Sequence, residues 1–472
     1  MNDGRSRRRR ALVVAYDFPP HGAIGTMRTL RVVRRLVEED WDVTVLTSDP
    51  RTFRSGTPVE QALMSRVPAG IRIVRAPSFR GFDALKRIVK GPPGTEERSD
   101  AQALRRPKGR MAGGRGHLAR ATDLVDAALA IPDHESGWLI PAVMRGLATI
   151  RSYRPDVIYS SAPPWTGQIV ARVLATASRC QWVADFRDPW SRAPWRGDRF
   201  GFAIRAAVML ERQVVRRADR ILFVAQGNRD DFAVHYGPDT ARKFHVIPNG
   251  CDIQEFDALS EAPAVPDDMC VLLHAGSLYA GRSPGALLKA IAVAIEQGIV
   301  DPSRFRLRFL GHLGLASVDL SRTCRELGLE QVVEVVARVP REQSLQAMRS
   351  ASALLLLQPG HTVSVPGKLY EYLASGRPIL AVAEEGEIAD IVRQSGVGVF
   401  ATPDDEAGIV AALASLIPMV KTGVGAAPRE LYDGMLRAAE AVRVLDAVVR
   451  GDSPSPADAT VVEANTGRVR TR

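Results

Sequence analysis

Ala353-Leu354-Leu355-Leu356-Leu357, then Val365-Pro366-Gly367-Lys368-Leu369-Tyr370-Glu371-Tyr372-Leu373-Ala374-Ser375-Gly376-Arg377-Pro378, then Ile379-Leu380-Ala381-Val382, is the stretch from which the fold is read. Two short apolar runs without polar alternation flank a segment of helical period. The runs predict strands over 353–357 and 378–382, buried on both faces, and the segment between predicts a helix over 368–374. This is the βαβ rhythm of a parallel sheet.

The same rhythm continues on both sides. Upstream it predicts strands over 269–275, 306–310 and 332–336 with helices over 284–297, 317–327 and 342–350. Downstream it predicts a helix over 388–394, a strand over 398–400 and closing helices over 404–416 and 428–449. An independent series fills the first half, with strands over 11–16, 42–47, 71–75, 156–160, 181–185, 220–224 and 244–247 and helices over 25–39, 167–177 and 202–218. The expected fold class is α/β, with two doubly wound Rossmann-like domains facing a central cleft, ligands lying beyond the carboxyl ends of the strands. The domain expectation is a basic tail over 1–10, a first domain over 11–256, a linker over 257–268 containing Pro263 and Pro266, a second domain over 269–425, a helix over 426–450 crossing back, and a disordered tail over 451–472. An irregular, Gly- and Arg-rich loop is expected over 80–116.

Composition narrows the function classes. The 472 residues are 46% hydrophobic and 25% charged, the balance of a soluble globular protein, and no apolar run approaches the roughly 18–20 residues of a spanning helix. Residues 5–10 are Arg-rich, but the apolar run after them is too short for a secretory signal. Cys180, Cys251, Cys270 and Cys324 form no CxxC pair, so no zinc ribbon or redox dithiol is expected and the expected location is the cytoplasm. The 63 Lys plus Arg exceed the 53 Asp plus Glu, giving a net charge of +10 that favours anionic partners. The aromatic fraction of 6% is not arranged as a stacking platform and no recognition motif is present, so nucleic acid is not an expected partner.

Four loops after predicted strands carry the chemistry. In Asp17-Phe18-Pro19-Pro20-His21-Gly22-Ala23-Ile24-Gly25-Thr26-Met27-Arg28, Gly22 and Gly25 permit a close backbone approach to a ligand, and Arg28 opposes the dipole of the helix it opens, either solvated or facing an anion. Ala184-Asp185-Phe186-Arg187-Asp188-Pro189-Trp190 reads equally as an Arg–carboxylate pair that holds the loop and as a polar cluster that handles hydroxyl groups. His274-Ala275-Gly276-Ser277-Leu278-Tyr279-Ala280-Gly281-Arg282-Ser283-Pro284 places Arg282 ahead of a helix that Ser283 caps. Lys368 stands at a helix start, where a cation is unfavourable unless an anion binds, and Glu371 lies on nearly the same face, placed for ribose hydroxyls. Asp40-Trp41-Asp42 matches a metal-binding DxD pattern but enters a strand from the wrong end of the sheet, so no metal is expected.

With the SSAPPWTG (160–167) and IPNGCD (247–252) segments, these loops make the chain resemble the GT-B glycosyltransferases, in particular the large family-4 group (glycosyl transferases group 1), over residues 11–449. The resemblance implies that the second domain binds a nucleotide-diphosphate sugar, a UDP-sugar ahead of a GDP-sugar, and the first an acceptor, with retention of anomeric configuration and no cofactor. Glu371 matches the second carboxylate of the family's E-x7-E motif. Arg282 falls at the usual diphosphate-binding Lys, Gly22 and Gly25 at the loop facing the diphosphate, and Arg338 in the segment that contacts the base. The chain departs from the family at Val363, where the first Glu of the motif is expected, at Ser277, where an Arg is usual, and at Ser161, where a His is frequent. Lys368 restores the charge that Ser277 lacks.

The mechanism so implied is electrostatic: Arg282, Lys368 and helix N-termini offset the charge of the leaving diphosphate, and Asp188 or Asp185, beside Arg187, orients or deprotonates the acceptor hydroxyl. The acceptor is expected to be a glycan or a lipid-linked sugar of cell-envelope polysaccharide or glycolipid assembly. The basic segments 5–10, 98–120 and 205–220 point to peripheral contact with an anionic membrane at its inner face. The alternative is a non-catalytic or epimerase-type GT-B protein that binds a nucleotide-sugar.

Overall fold

The run Ala11–Ala15 is buried throughout, because neither face of its strand meets water. It forms β1 (Arg10–Ala15), and the chain adds β2 (Asp42–Ser48), β3 (Arg72–Ala76), β4 (Val157–Ala162), β5 (Gln181–Phe186), β6 (Arg220–Phe223) and β7 (Phe244–Val246). All seven are parallel, in the order β3-β2-β1-β4-β5-β6-β7. The second sheet holds β8 (Cys270–Ala275), β9 (Phe305–Leu310), β10 (Val333–Val336), β11 (Ala353–Gln358), β12 (Ile379–Ala383) and β13 (Gly398–Ala401), parallel in the order β10-β9-β8-β11-β12-β13. In each sheet the order reverses beside its first strand, so a crevice opens at the carboxyl ends of β1 and β4, and of β8 and β11.

The structure, a computed structural model, describes residues 7–79, 127–128, 130–193, 200–260, 265–266, 268–276, 278, 283–312, 316–360 and 364–452. It divides into two units, Met1–Pro248 with Arg437–Arg472, and Asn249–Leu436. Each unit is two cores divided by its sheet. In the first, helices Leu139–Tyr153, Thr166–Ser178, Gly201–Arg217 and Gln226–Tyr236 cover one face around Ile169, Trp182 and Phe232. Helices Ile24–Glu38 and Gly434–Arg450 cover the other, where Val442 and Leu445 share a core with Val13 and Leu36. In the second unit, Leu355 and Leu357 of β11 face the core of helices Gly285–Glu296 and Glu406–Thr422, while Leu354 and Leu356 face that of Gly367–Ala374 and Glu387–Ser395. The two-residue period of one strand thus fills both layers.

Several sequence expectations shift. The division falls at Pro248/Asn249, ahead of the expected linker at 257–268, because Ile253–Asp257 is helical and its Phe256 is buried in the second unit. The basic tail is shorter than 1–10: Arg10 begins β1, and Arg9 pairs with Asp446 and lies over the Trp41 ring at 4.6 Å. The closing helix begins at Gly434 rather than 428, after a short 3-10 turn at Arg429–Leu431. Besides the short helices Pro238–Ala241 and Ile253–Asp257, two longer helices among the described residues were not anticipated. Leu139–Tyr153 contains Pro141, tolerated in its first turn, and Gly146, where a Cβ would meet Leu174 at 2.5 Å. Gln226–Tyr236 is polar along much of its length and lacks a clear apolar period. The expected loop at 80–116 and the tail beyond 452 lie outside the described residues.

Candidate active site

In the first unit the loops after β1, β4 and β5 meet through one side chain. Arg187 leaves the end of β5 and donates to Asp17 Oδ2 at 3.3 Å and to the Pro163 carbonyl, joining all three loops. Its guanidinium lies over Gly25, in the space a Cβ would need. Gly25 is therefore required for the approach of a side chain 162 positions away in sequence. Gly22 donates its N–H to the Pro58 carbonyl at 2.9 Å, so that amide is already spent. Burial pushes the Asp17 carboxyl up, against the opposing charge of Arg187.

The neighbouring carboxylates Asp185 and Asp188 have opposite surroundings. Asp185 is fully buried. Arg28 holds it with Nε to Oδ2 at 2.7 Å and Nη2 to Oδ1 at 3.0 Å, a bidentate pair. Tyr159 donates to Oδ2 at 2.6 Å, and Ser161 lies at 3.5 Å from the same oxygen. Burial and the Asp185 charge hold the Tyr159 phenol well above its ordinary value, so it stays a donor. Arg28, which the sequence left either solvated or facing an anion, is buried, and the anion is Asp185. Asp188, three residues on, is only partly buried and makes no hydrogen bond among the described residues. Burial raises its carboxyl, and Arg187 opposes that rise. Its loop is held by the stack of Trp190 on Trp165, centroids 4.6 Å apart, and by Arg192, which pairs with buried Glu211 at 2.9 Å and with Asp231 at 2.8 Å.

In the second unit the end of β8 is built of backbone. Gly276 has φ +142°, a conformation that L side chains rarely adopt, and Gly311 after β9 approaches so closely that a Cβ on it would meet the Gly276 carbonyl carbon at 2.6 Å. The ammonium of Lys368 occupies the position a Cβ on Gly276 would take. Helix Gly367–Ala374 is pinned there because the Tyr372 hydroxyl accepts the Ala275 N–H at 2.9 Å. Glu371 accepts from Arg341 Nη1 at 2.9 Å, and Arg341 also forks onto Glu255, with Nε to Oε1 at 3.0 Å and Nη2 to Oε2 at 2.5 Å. Burial would lower the Arg341 guanidinium, but its hydrogen bonds to Glu255 and the charge of Glu371 outweigh this and raise it. Glu371 is thereby fixed in one orientation.

Lys368, Glu371 and Gly276 come together at one sheet end, and Asp185, Arg187, Gly25 and Gly22 at the other unit's equivalent end. Arg338 is exposed in the segment between β10 and helix Arg341–Ser350, without a side-chain partner among the described residues. Ser277, Arg282 and Val363 lie outside the described residues. Sequence reasoning missed Arg341, Glu255 and Asp17. Arg341 opens a helix after Pro340, the same cation-at-a-helix-start signal that singled out Lys368. Asp40-Trp41-Asp42 lies at the amino end of β2, away from these loops.

Residues 25–250 match the glycosyl transferase 4-like domain family, and residues 270–419 match the glycosyl transferases group 1 family, between them well over half of the chain. A D-inositol 3-phosphate glycosyltransferase of Streptomyces scabiei is 30% identical over 212 residues, 43% of this chain and 47% of that protein. The matched part thus spans about half the length of this curated relative. Among solved structures, sucrose-phosphate synthase from Thermosynechococcus elongatus superposes with a TM-score of 0.61 at 14% identity, over 94% of this chain and 100% of that one. Anabaena HepE, solved in complex with UDP, gives 0.58 at 14% identity, over 93% and 100%. At that identity the likeness establishes the fold, two Rossmann-like domains of the GT-B type. With both domain families matched in order along the sequence, the chain belongs to the GT-B glycosyltransferases, a glycosyl transferase 4-like domain followed by a group 1 domain.

Proposed function

We propose that the chain transfers a sugar from a nucleotide-diphosphate donor to a hydroxyl of a glycan or lipid-linked acceptor, with retention and without a metal, in cell-envelope polysaccharide or glycolipid assembly. The observation that carries this reading is the placement of the Lys368 ammonium on the bare backbone of Gly276 at the end of β8, with Glu371 clamped one turn on by Arg341. Phosphate oxygens suit that cation and the helix start that bears it, and ribose hydroxyls suit the fixed carboxylate. The UDP bound by HepE favours a uridine nucleotide over a guanosine one. Ser277 and Arg282 complete the diphosphate contacts in this reading, and Arg338 borders the base.

Charge on the departing diphosphate is offset by Lys368, Arg282 and backbone N–H groups, while the sugar passes through an oxocarbenium-like state. The two aspartates divide their roles. Asp188, with its partly exposed and raised carboxyl, receives or orients the acceptor hydroxyl. Asp185 is fully buried and both its oxygens are engaged, so it acts through Arg28 and Tyr159 as a positioning residue, as Arg187 does through the three loops it joins.

The test is nucleotide release from UDP-sugars and GDP-sugars against an acceptor panel of glycans, lipid-linked sugars and phosphorylated inositols, with and without EDTA, and NMR assignment of the product anomer. Acceptor-dependent UDP release that EDTA leaves unchanged, with retained configuration, supports the reading. Conversion of the donor without an acceptor would replace it by an epimerase. An inverted product or loss of turnover in EDTA would overturn the corresponding part.

A further inference from the structure

Two cations open helices at the carboxyl edge of the second sheet, and they are used differently. Lys368 lays its ammonium on the bare backbone of Gly276. Arg341, at the start of helix Arg341–Ser350, donates from all three guanidinium nitrogens to carboxylates. Nε and Nη2 go to Glu255, whose side chain is buried, and Nη1 goes to Glu371. Arg341 is therefore occupied within the protein and acts through the carboxylates it holds.

The bond to Glu371 is not needed to seat the helix. Arg349 Nη1 donates to the Phe256 carbonyl at 3.0 Å, Gln346 Nε2 donates to Ser260 Oγ at 3.2 Å, and Leu345 and Met348 share a core with Phe256. These ties already hold helix Arg341–Ser350 against helix Ile253–Asp257. The consequence of the bond from Nη1 lies in Glu371. Its helix is pinned by the Tyr372 hydroxyl on the Ala275 N–H, which leaves only side-chain torsions to be fixed. Arg341 fixes them by taking Oε1 at 2.9 Å. Oε2 makes no hydrogen bond among the described residues, and the side chain is partly exposed. The carboxylate is held at one oxygen and open at the other.

We propose that Arg341, backed by Glu255, is a positioning residue that makes the second unit select ribonucleotides over 2′-deoxyribonucleotides. The inference rests on the donor-site reading of Glu371. A carboxylate that turns freely loses torsional freedom when it binds a hydroxyl, and turns to water when the hydroxyl is missing. A carboxylate held at one oxygen does neither. A ribose hydroxyl meets Oε2 already in place, and a ligand without that hydroxyl leaves Oε2 covered and unpaired. The clamp thus favours the ribose and penalises the deoxyribose. It also needs a planar guanidinium, because the single nitrogen of a lysine does not reproduce the fork on Glu255 together with the bond to Glu371.

The test is isothermal titration calorimetry of the full chain with UDP and with 2′-deoxy-UDP, for wild type, Arg341→Met, Arg341→Lys and Glu371→Ala. Wild type is expected to bind UDP about tenfold to a hundredfold more tightly than 2′-deoxy-UDP. All three variants are expected to lose most of that preference through weaker binding of UDP, while 2′-deoxy-UDP binds no more weakly than to wild type. Arg341→Met leaves Glu255 buried without its cation. Where it fails to fold by circular dichroism, R341M/E255M removes both charges and makes the same comparison. An equal loss of affinity for both nucleotides in the Arg341 variants would mark a general structural role and overturn the proposal. An undiminished preference for UDP in either of them would overturn it too. UDP bound by wild type with no preference over 2′-deoxy-UDP would overturn the selectivity alone, whereas no binding of either nucleotide to wild type would overturn the donor-site reading beneath it.

Discussion

At the carboxyl edge of the first sheet charged side chains close on one another: Arg28 on Asp185, Arg187 on Asp17, Arg192 on Glu211. At the corresponding edge of the second sheet, two glycines bring backbone to the surface, a lysine ammonium covers one of them, and one arginine, Arg341, holds two glutamates, Glu371 and Glu255. The first arrangement fixes the shape of a wall whatever binds to it, and leaves Asp188 as its partly exposed carboxylate. The second gathers positive charge against backbone, which is what a diphosphate requires. The same doubly wound topology thus supports two kinds of surface, and the difference lies in whether the strand ends are closed by buried ion pairs or opened to backbone by glycines.

Breaking the first arrangement should cost stability before activity. Asp185→Asn leaves Arg28 buried without its carboxylate, and about 3–5 kcal/mol of unfolding free energy should be lost in urea titrations. Lys368→Met sharpens the contrast from the other side. It should leave the unfolding midpoint near wild type but lower kcat about 10²–10³-fold, or about 2.7–4 kcal/mol of transition-state stabilisation. A large loss of stability in Lys368→Met, or none in Asp185→Asn, would erase the distinction between the two edges.

Gly276→Ala should be smaller and mixed. The φ of +142° costs about 1–3 kcal/mol for an L residue, and the new methyl displaces the Lys368 ammonium, so nucleotide affinity falls with stability. Asp188→Asn should be smallest for the fold. Its native carboxyl is raised above 3.8 by burial, so the stability tied to its proton is complete below that value and is lost as pH rises through the raised one. The Asn variant should therefore be as stable as wild type at neutral pH or slightly more so, while turnover falls. The acid limb of wild-type kcat/KM should titrate above 3.8, and an ordinary acid limb in an otherwise normal profile would remove Asp188 from the reaction.

Each strand described here was anticipated; the central ones were legible as apolar runs because both their faces are buried, as in Ala353–Gln358, while edge strands such as Arg72–Ala76 and Val333–Val336 are only partly buried. The helix Gly367–Ala374 and the positions of Lys368 and Glu371 were legible too, since a cation at a helix start contradicts the local dipole and calls for an explanation. The partnerships were not. Arg28 and Asp185 are separated by 157 positions, and nothing local to either tells that one is the other's counter-ion. Gly25 read as an opening for a ligand, but the group that uses the opening is Arg187. Helix Leu139–Tyr153 was hidden by Pro141 and Gly146, residues that break a helical pattern in sequence yet fit its first turn and its closest packing point in space.

Thermal unfolding with UDP and GDP, for wild type, Lys368→Ala and Glu371→Ala, tests the central claim that the second unit's sheet end is the donor site. A nucleotide at 100 times its Kd should add about 2.7 kcal/mol of apparent stability. The expected result is a shift with UDP in wild type that both variants lose while their unliganded midpoints stay close to it. A UDP shift of equal size in all three proteins would place the nucleotide elsewhere and contradict the account.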